Sequence, residues 1–127
     1  MKHQEITEKI IGVFYEVYNE LGHGFLESVY EQAMVIALSE AGLPVVQRAP
    51  ITVYFHGQLV GDFRADLLVN NQVIVKLKAA RALESAYEAQ LMNYLRATNI
   101  EIGLLMNFGP KPEFKRFIYD NERKARR

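Results

Sequence analysis

Asp66, Lys76 and Lys78 are the residues of this chain whose types and spacing could do chemistry. They flank a turn signal, Asn70-Asn71, between two runs of β character. Side chains directly opposite each other in an antiparallel pair lie on the same face. A two-residue loop sets Asp66 opposite Val75 and Leu68 opposite Val73, which mixes a carboxylate into an apolar row. A three-residue loop, Asn70 to Gln72, sets Asp66 opposite Lys76 and brings Ala65, Leu67 and Val69 against Leu77, Val75 and Val73 as one apolar face. Such a loop needs one left-handed residue, which asparagine tolerates. The second register is preferred, because a one-residue slip buries the charges.

Asp66, Lys76 and Lys78 then share a polar face of two neighbouring strands. A carboxylate there can hold a hard cation through its oxygens. An ammonium beside it can neutralise developing negative charge. Spacing alone leaves another reading open, an ordinary cross-strand ion pair on a solvated face.

The elements that position these residues follow from periodicity. Ile6, Ile10, Val13, Phe14, Val17 and Leu21 fall at helical spacing. Gly22-His23-Gly24 breaks that pattern; it lacks the lysine and hydroxyl residue of a phosphate loop and reads as a cap. A second helical stripe runs through Leu26, Val29, Tyr30, Ala33 and Ala37, ended by Gly42 and Pro44. Ile51, Val53 and Phe55 alternate with Thr52, Tyr54 and His56, a strand pattern closed by a turn at Gly57. Strands follow from about Leu59 to Val69 and from Val73 to Lys78. Helical period returns from about Leu83 to Ala97, then a buried strand from Ile102 to Phe108 and a short one from Phe114 to Tyr119. The polar, basic tail from Asn121 is expected to fray. The order ααβββαββ is that of an α/β domain with a mixed sheet, expected over residues 1–120 with a basic tail over 121–127.

Composition sets bounds. The chain has 127 residues, which suits one domain, and half of them are hydrophobic. Fifteen basic residues balance fifteen acidic ones, whereas strong sequence-independent nucleic-acid binders usually carry a basic excess. There is no cysteine, so disulfides and thiolate metal sites are excluded. Met1 to Glu5 lead into a charged amphipathic pattern rather than an apolar leader, and no apolar run spans a bilayer. No membrane association and a cytoplasmic location are therefore expected. His3, His23 and His56 suggest no metal cluster. Arg123, Lys124, Arg126 and Arg127 could touch phosphate, although a basic terminus is usually solvated.

Five blocks, in order, resemble the GxxExxY protein family: Gly24 to Tyr30 (GFLESVY), Arg64 to Val69 (RADLLV), Val73 to Ala79 (VIVKLKA), Glu88 to Leu95 (EAQLMNYL) and Gly103 to Gly109 (GLLMNFG). The resemblance runs from about Ile6 to Ile118. It implies a single-domain PD-(D/E)XK nuclease-like fold, a sheet flanked by helices with its site on the central hairpin. It further implies a Mg²⁺-dependent phosphodiester hydrolase, with Mn²⁺ as an alternative, acting on DNA or RNA. Asp66 takes the place of the first acidic metal ligand, Glu27 that of an acid from an early helix, and Lys78 that of the lysine steadying the attacking water or the charged transition state. Gln90 matches a polar residue beside the site, and Tyr30 belongs to the signature and is expected to line it.

The sequence departs from that pattern at its centre. Lys76 stands where the resemblance implies glutamate. An ammonium has no lone pair for a metal. Glu84 or Glu88 could supply a replacement acid, but acids near a helix start commonly serve the helix itself. The scaffold is therefore expected to be inactive or impaired, or alternatively to act as a non-catalytic module holding nucleic acid or protein.

Overall fold

The computed structural model describes residues 3–124. Two helices, α1 (Gln4–Leu21) and α2 (Glu27–Glu40), precede three strands, β1 (Val45–Phe55), β2 (Gln58–Val69) and β3 (Val73–Lys78). Helix α3 (Ser85–Ala97) links β3 to β4 (Ile102–Phe108), and β5 (Pro112–Ile118) precedes a 3₁₀ turn, Asn121–Arg123. The strands lie in the order β1-β2-β3-β4-β5. Only β3 and β4 run parallel, as the α3 crossover requires.

The sheet separates two apolar layers. Ile10, Val13, Phe14 and Val17 of α1 and Tyr30, Met34 and Leu38 of α2 cover Leu67, Val69, Val73, Val75 and Leu77. Leu91, Tyr94 and Leu95 of α3 cover the opposite face with Ile74 and Leu105. Phe108 anchors the first layer. Its ring stacks on Tyr30 at 4.2 Å and meets Phe14 edge-on at 4.9 Å, geometries that add to simple burial. Every residue of β4 is buried, which is why it reads as an apolar run from Ile102 to Met106, with Asn107 the one polar residue before Phe108.

Two turns set the registers. His56 and Gly57 both have positive φ, the requirement of a tight two-residue hairpin turn. Asn70 and Asn71 are also left-handed, and the Gln72 amide donates to the Val69 carbonyl at 3.0 Å. The loop thus spans three residues, and Leu67 pairs with Val75 and Val69 with Val73.

The arrangement differs from expectation in four places. Strand β1 begins at Val45, not Ile51, because Arg48 is left-handed (φ 55°) and breaks the alternation. Opposite that break both strands change layer. Gln47 and Leu67 form one pair on the α2 side, whereas the next, Ala49 and Ala65, packs under α3. Ala65 therefore leaves the apolar row of Leu67 and Val69. Third, the expected polar face of the hairpin is covered by α3, leaving Asp66 only 8% exposed. Fourth, residues 121–124 are docked rather than frayed. The Asn121 amide donates to Glu101 at 2.8 Å, and the Lys124 ammonium donates to the carbonyls of Thr98 and Ile100. Arg126 and Arg127 lie outside the described residues.

Candidate functional site

Strand β2 keeps its β3 partners only from Leu67 to Val69, while its pairing with β1 continues to Gln58. Asp66 is the first residue past that fork. Its Oδ2 accepts the Leu77 amide at 2.7 Å, so a side chain takes the place of a main-chain acceptor where the ladder opens. The Lys76 ammonium lies 3.8 Å from the same oxygen, with both side chains nearly covered (12% and 11% exposed). A charge pair this far from water must be held by good partners to offset desolvation.

Two tyrosines of α3 complete the surroundings. The Lys78 ammonium sits 4.4 Å above the Tyr87 ring, a favourable cation–π placement. Burial, reinforced by the negative charge of Asp66, holds the Tyr94 phenol above its ordinary value of 10.0. Tyr94 is thus a neighbour of the fork that the sequence alone did not single out; only its helical phase, one turn from Gln90, pointed to it.

The end of β3 is fixed from β4. Asn107, fully buried, accepts the Ala80 amide at 2.9 Å and donates to the Ala80 carbonyl at 3.0 Å. Its side chain therefore extends the β3–β4 ladder past Lys78. Gly109 is confined by this clamp, since a Cβ there would collide with the Ala80 carbonyl oxygen and lie 2.8 Å from Asn107 Nδ2.

The remaining candidates lie on α2 and α3. Glu27 lies exposed in the first turn of α2, and no hydrogen bond or ion pair joins it to Asp66 among the described residues. One turn later Glu31 is buried (7% exposed). It accepts from Gln47 at 3.0 Å and lies 3.5 Å from the Arg48 guanidinium. Glu31 thus braces β1 opposite the fork. The apolar pattern held no signal for it, because the structure turns Tyr30, Glu31, Met34 and Leu38 inward and leaves Leu26 and Val29 of the expected stripe exposed. Tyr30, expected to line the site, is wholly buried. Its hydroxyl donates to the Gly22 carbonyl and accepts the Phe25 amide, tying the α1–α2 turn together. Gln90 is exposed on α3 and borders a groove that Tyr94 also lines. Glu88 is engaged by the Lys115 ammonium at 2.7 Å, and Glu84 is the exposed N-cap of α3.

These residues sit on a fold with known relatives. The family model of the PD-(D/E)XK nuclease superfamily matches residues 4–117. The solved structure of SSO0001 is similar in fold, with a TM-score of 0.57 at 15% identity over 74% of this chain and 50% of that one. The chain thus spans half the length of that structure. The curated proteins hold no match to it. This chain belongs to the PD-(D/E)XK nuclease superfamily. Its described residues include no helix long and apolar enough to cross a membrane.

The superfamily generally uses divalent metals, and a hard cation needs several oxygen ligands. Among the described residues no three His, Cys, Asp or Glu side chains converge. Asp66 already serves the Leu77 amide and faces an ammonium. The residues present do not fit a divalent metal centre.

Proposed function

We propose that this chain is a GxxExxY-type nuclease-scaffold protein of the cytoplasm, directed at nucleic acid, whose metal-dependent phosphodiester hydrolysis is lost or impaired. One observation carries the reading. The Lys76 ammonium stands 3.8 Å from Asp66 Oδ2, where the scaffold would need a second acid. Unit charges about 4 Å apart interact by roughly 4 kcal/mol at the effective dielectric of a protein surface. An ammonium at that distance from the remaining acid both occupies it and repels a divalent cation. Lys78, held over Tyr87, would be the group that neutralises a phosphoryl oxygen.

A second reading is a non-catalytic nucleic-acid- or protein-binding module on the same scaffold. The observation favouring it is the pair of lysines, 76 and 78, on the α3 side of β3, which suits an anionic group better than a cation.

Calorimetric titration of Mg²⁺ and Mn²⁺ into the chain and its Lys76→Glu variant tests the proposal, alongside cleavage assays on single- and double-stranded DNA and RNA. Weak metal uptake by the chain and tighter uptake by Lys76→Glu are expected. Strong, Asp66-dependent cleavage by the unaltered chain overturns it. Equal, negligible uptake by both versions favours the binding module.

A further inference from the structure

Beside the Asp66 fork lies a groove of about 930 Å³ between the β1–β2 arm and α3, at the upper end of ordinary ligand clefts. Ala86 and Ala97 both border it, so it follows about 16 Å of helix at ~1.5 Å per residue.

One wall is made of rings. Tyr54, Phe55, His56 and Phe63 line it. Phe55 is 63% exposed and stacks on His56 with ring centres 3.9 Å apart and planes within 15°. Tyr54 and Phe63 are also exposed, and a contiguous set of large exposed apolar side chains marks an interaction surface. The other wall is polar and basic. Gln90, Asn93 and Arg96 project from α3, and Lys124 closes the far end. Arg96 lies 5.4 Å from the centre of the Tyr119 ring, and Lys124 is fixed by two backbone carbonyls. Among the described residues no Asp or Glu lines the groove, although the chain has as many acids as bases. Its formal charge is therefore positive only.

We propose that this groove binds a single-stranded nucleic-acid segment, with bases stacked on Phe55, Tyr54 and Phe63 and phosphates directed to Arg96. Rings give sequence-tolerant stacking and a cationic wall follows the backbone, the two requirements of single-strand binding. A duplex keeps its base faces stacked internally and would leave the rings idle. A second copy of this chain would bring like-charged walls together. An apolar protein helix would bury the Gln90 amide and the charge of Arg96, which donates to Asn93 at 3.0 Å, at a desolvation cost. The groove and the fork share α3, whose Tyr94 lines the groove and whose Tyr87 ring lies 4.4 Å from the Lys78 ammonium. The proposal rests on nucleic acid being the ligand of the scaffold.

Fluorescence anisotropy with labelled oligo-dT, oligo-rU and a dA·dT duplex tests it, on the full chain and on Phe55→Ala, Arg96→Glu and Lys78→Ala. Circular dichroism verifies that each variant folds; Phe55 and Arg96 are exposed, so their replacement leaves the core intact. The single strands are expected to bind more tightly than the duplex. Phe55→Ala should weaken that binding about tenfold, and Arg96→Glu should weaken it and reduce its salt dependence. Duplex binding equal to single-strand binding, unchanged in Phe55→Ala, overturns the proposal. Binding lost in Lys78→Ala but kept in Phe55→Ala and Arg96→Glu overturns the groove while leaving the scaffold's nucleic-acid reading intact. Absence of oligonucleotide binding by every version overturns both. Self-association by sedimentation that Phe55→Ala abolishes, without oligonucleotide binding, overturns it in favour of a second copy.

Discussion

Asp66 Oδ2 receives the Leu77 amide at 2.7 Å and the Lys76 ammonium at 3.8 Å, so one oxygen closes both the backbone ladder and the charge pair at the fork between β2 and β3. Removing the Asp66 carboxylate disturbs both, whereas removing the Lys76 ammonium breaks only the charge pair.

Lys76→Ala leaves Asp66 charged, nearly covered and without its counter-ion. A loss of about 3 kcal/mol in unfolding free energy is expected from such one-sided removal. The Asp66→Asn, Lys76→Met double variant should recover much of it, because no unpaired charge then remains. Urea denaturation of Asp66→Asn, Lys76→Met and the double variant that combines them gives the coupling directly.

Lys76→Glu places two carboxylates side by side. Without metal its thermal midpoint should fall below that of the unaltered chain, since like charges at that range repel. Mn²⁺ should raise the midpoint of the variant and leave the parent unmoved. Scanning calorimetry with EDTA and with Mn²⁺ checks both halves.

Tyr94 predicts an alkaline limit. Its phenol binds a proton more tightly in the folded chain than in the unfolded one, through burial and then the Asp66 charge. That contribution is complete below about pH 10 and is lost as pH rises through the higher folded-state value. Urea midpoints should hold level up to about pH 9 and decline from about pH 10 upward, and Tyr94→Phe should flatten the decline.

Asn107→Ala strips both partners from the Ala80 backbone. Each unsatisfied buried group costs about 1–3 kcal/mol; because Ala80 is half-buried, the two together are expected to cost about 2–4 kcal/mol by chemical denaturation. Gly109→Ala should also destabilise, since its new methyl meets the Ala80 carbonyl. Faster amide exchange at the end of β3 should accompany both.

Glu31→Ala leaves the Gln47 amide without its acceptor on the buried side of β1. A cost of about 1–3 kcal/mol is expected. Glu31→Gln, which keeps an oxygen facing Gln47, should cost less by the same measurement.

Much of this architecture was legible in sequence. Leu67, Val69, Val73 and Val75 carried enough apolar patterning to specify the hairpin register, and the mostly apolar run of β4 marked a buried strand. What was hidden depended on single backbone conformations and on side chains acting as backbone. Arg48 is an arginine in a left-handed conformation, which no composition rule signals, and it moved both the start of β1 and the layer of Ala65. Tyr30 and Asn107 stood in matching blocks whose spacing could not reveal that their polar atoms bind main chain. Glu27 attracted notice through its signature, while Glu31 made the buried contacts.

The bond from the Leu77 amide to Asp66 separates what selection can see at the two positions. Asp66 holds the strands together whether or not any reaction occurs, so a chain that has abandoned chemistry still has reason to keep it. Position 76 carries no such structural obligation to be acidic. Among relatives of this chain, the aspartate would therefore be a poor witness to activity, and the residue opposite it the informative one.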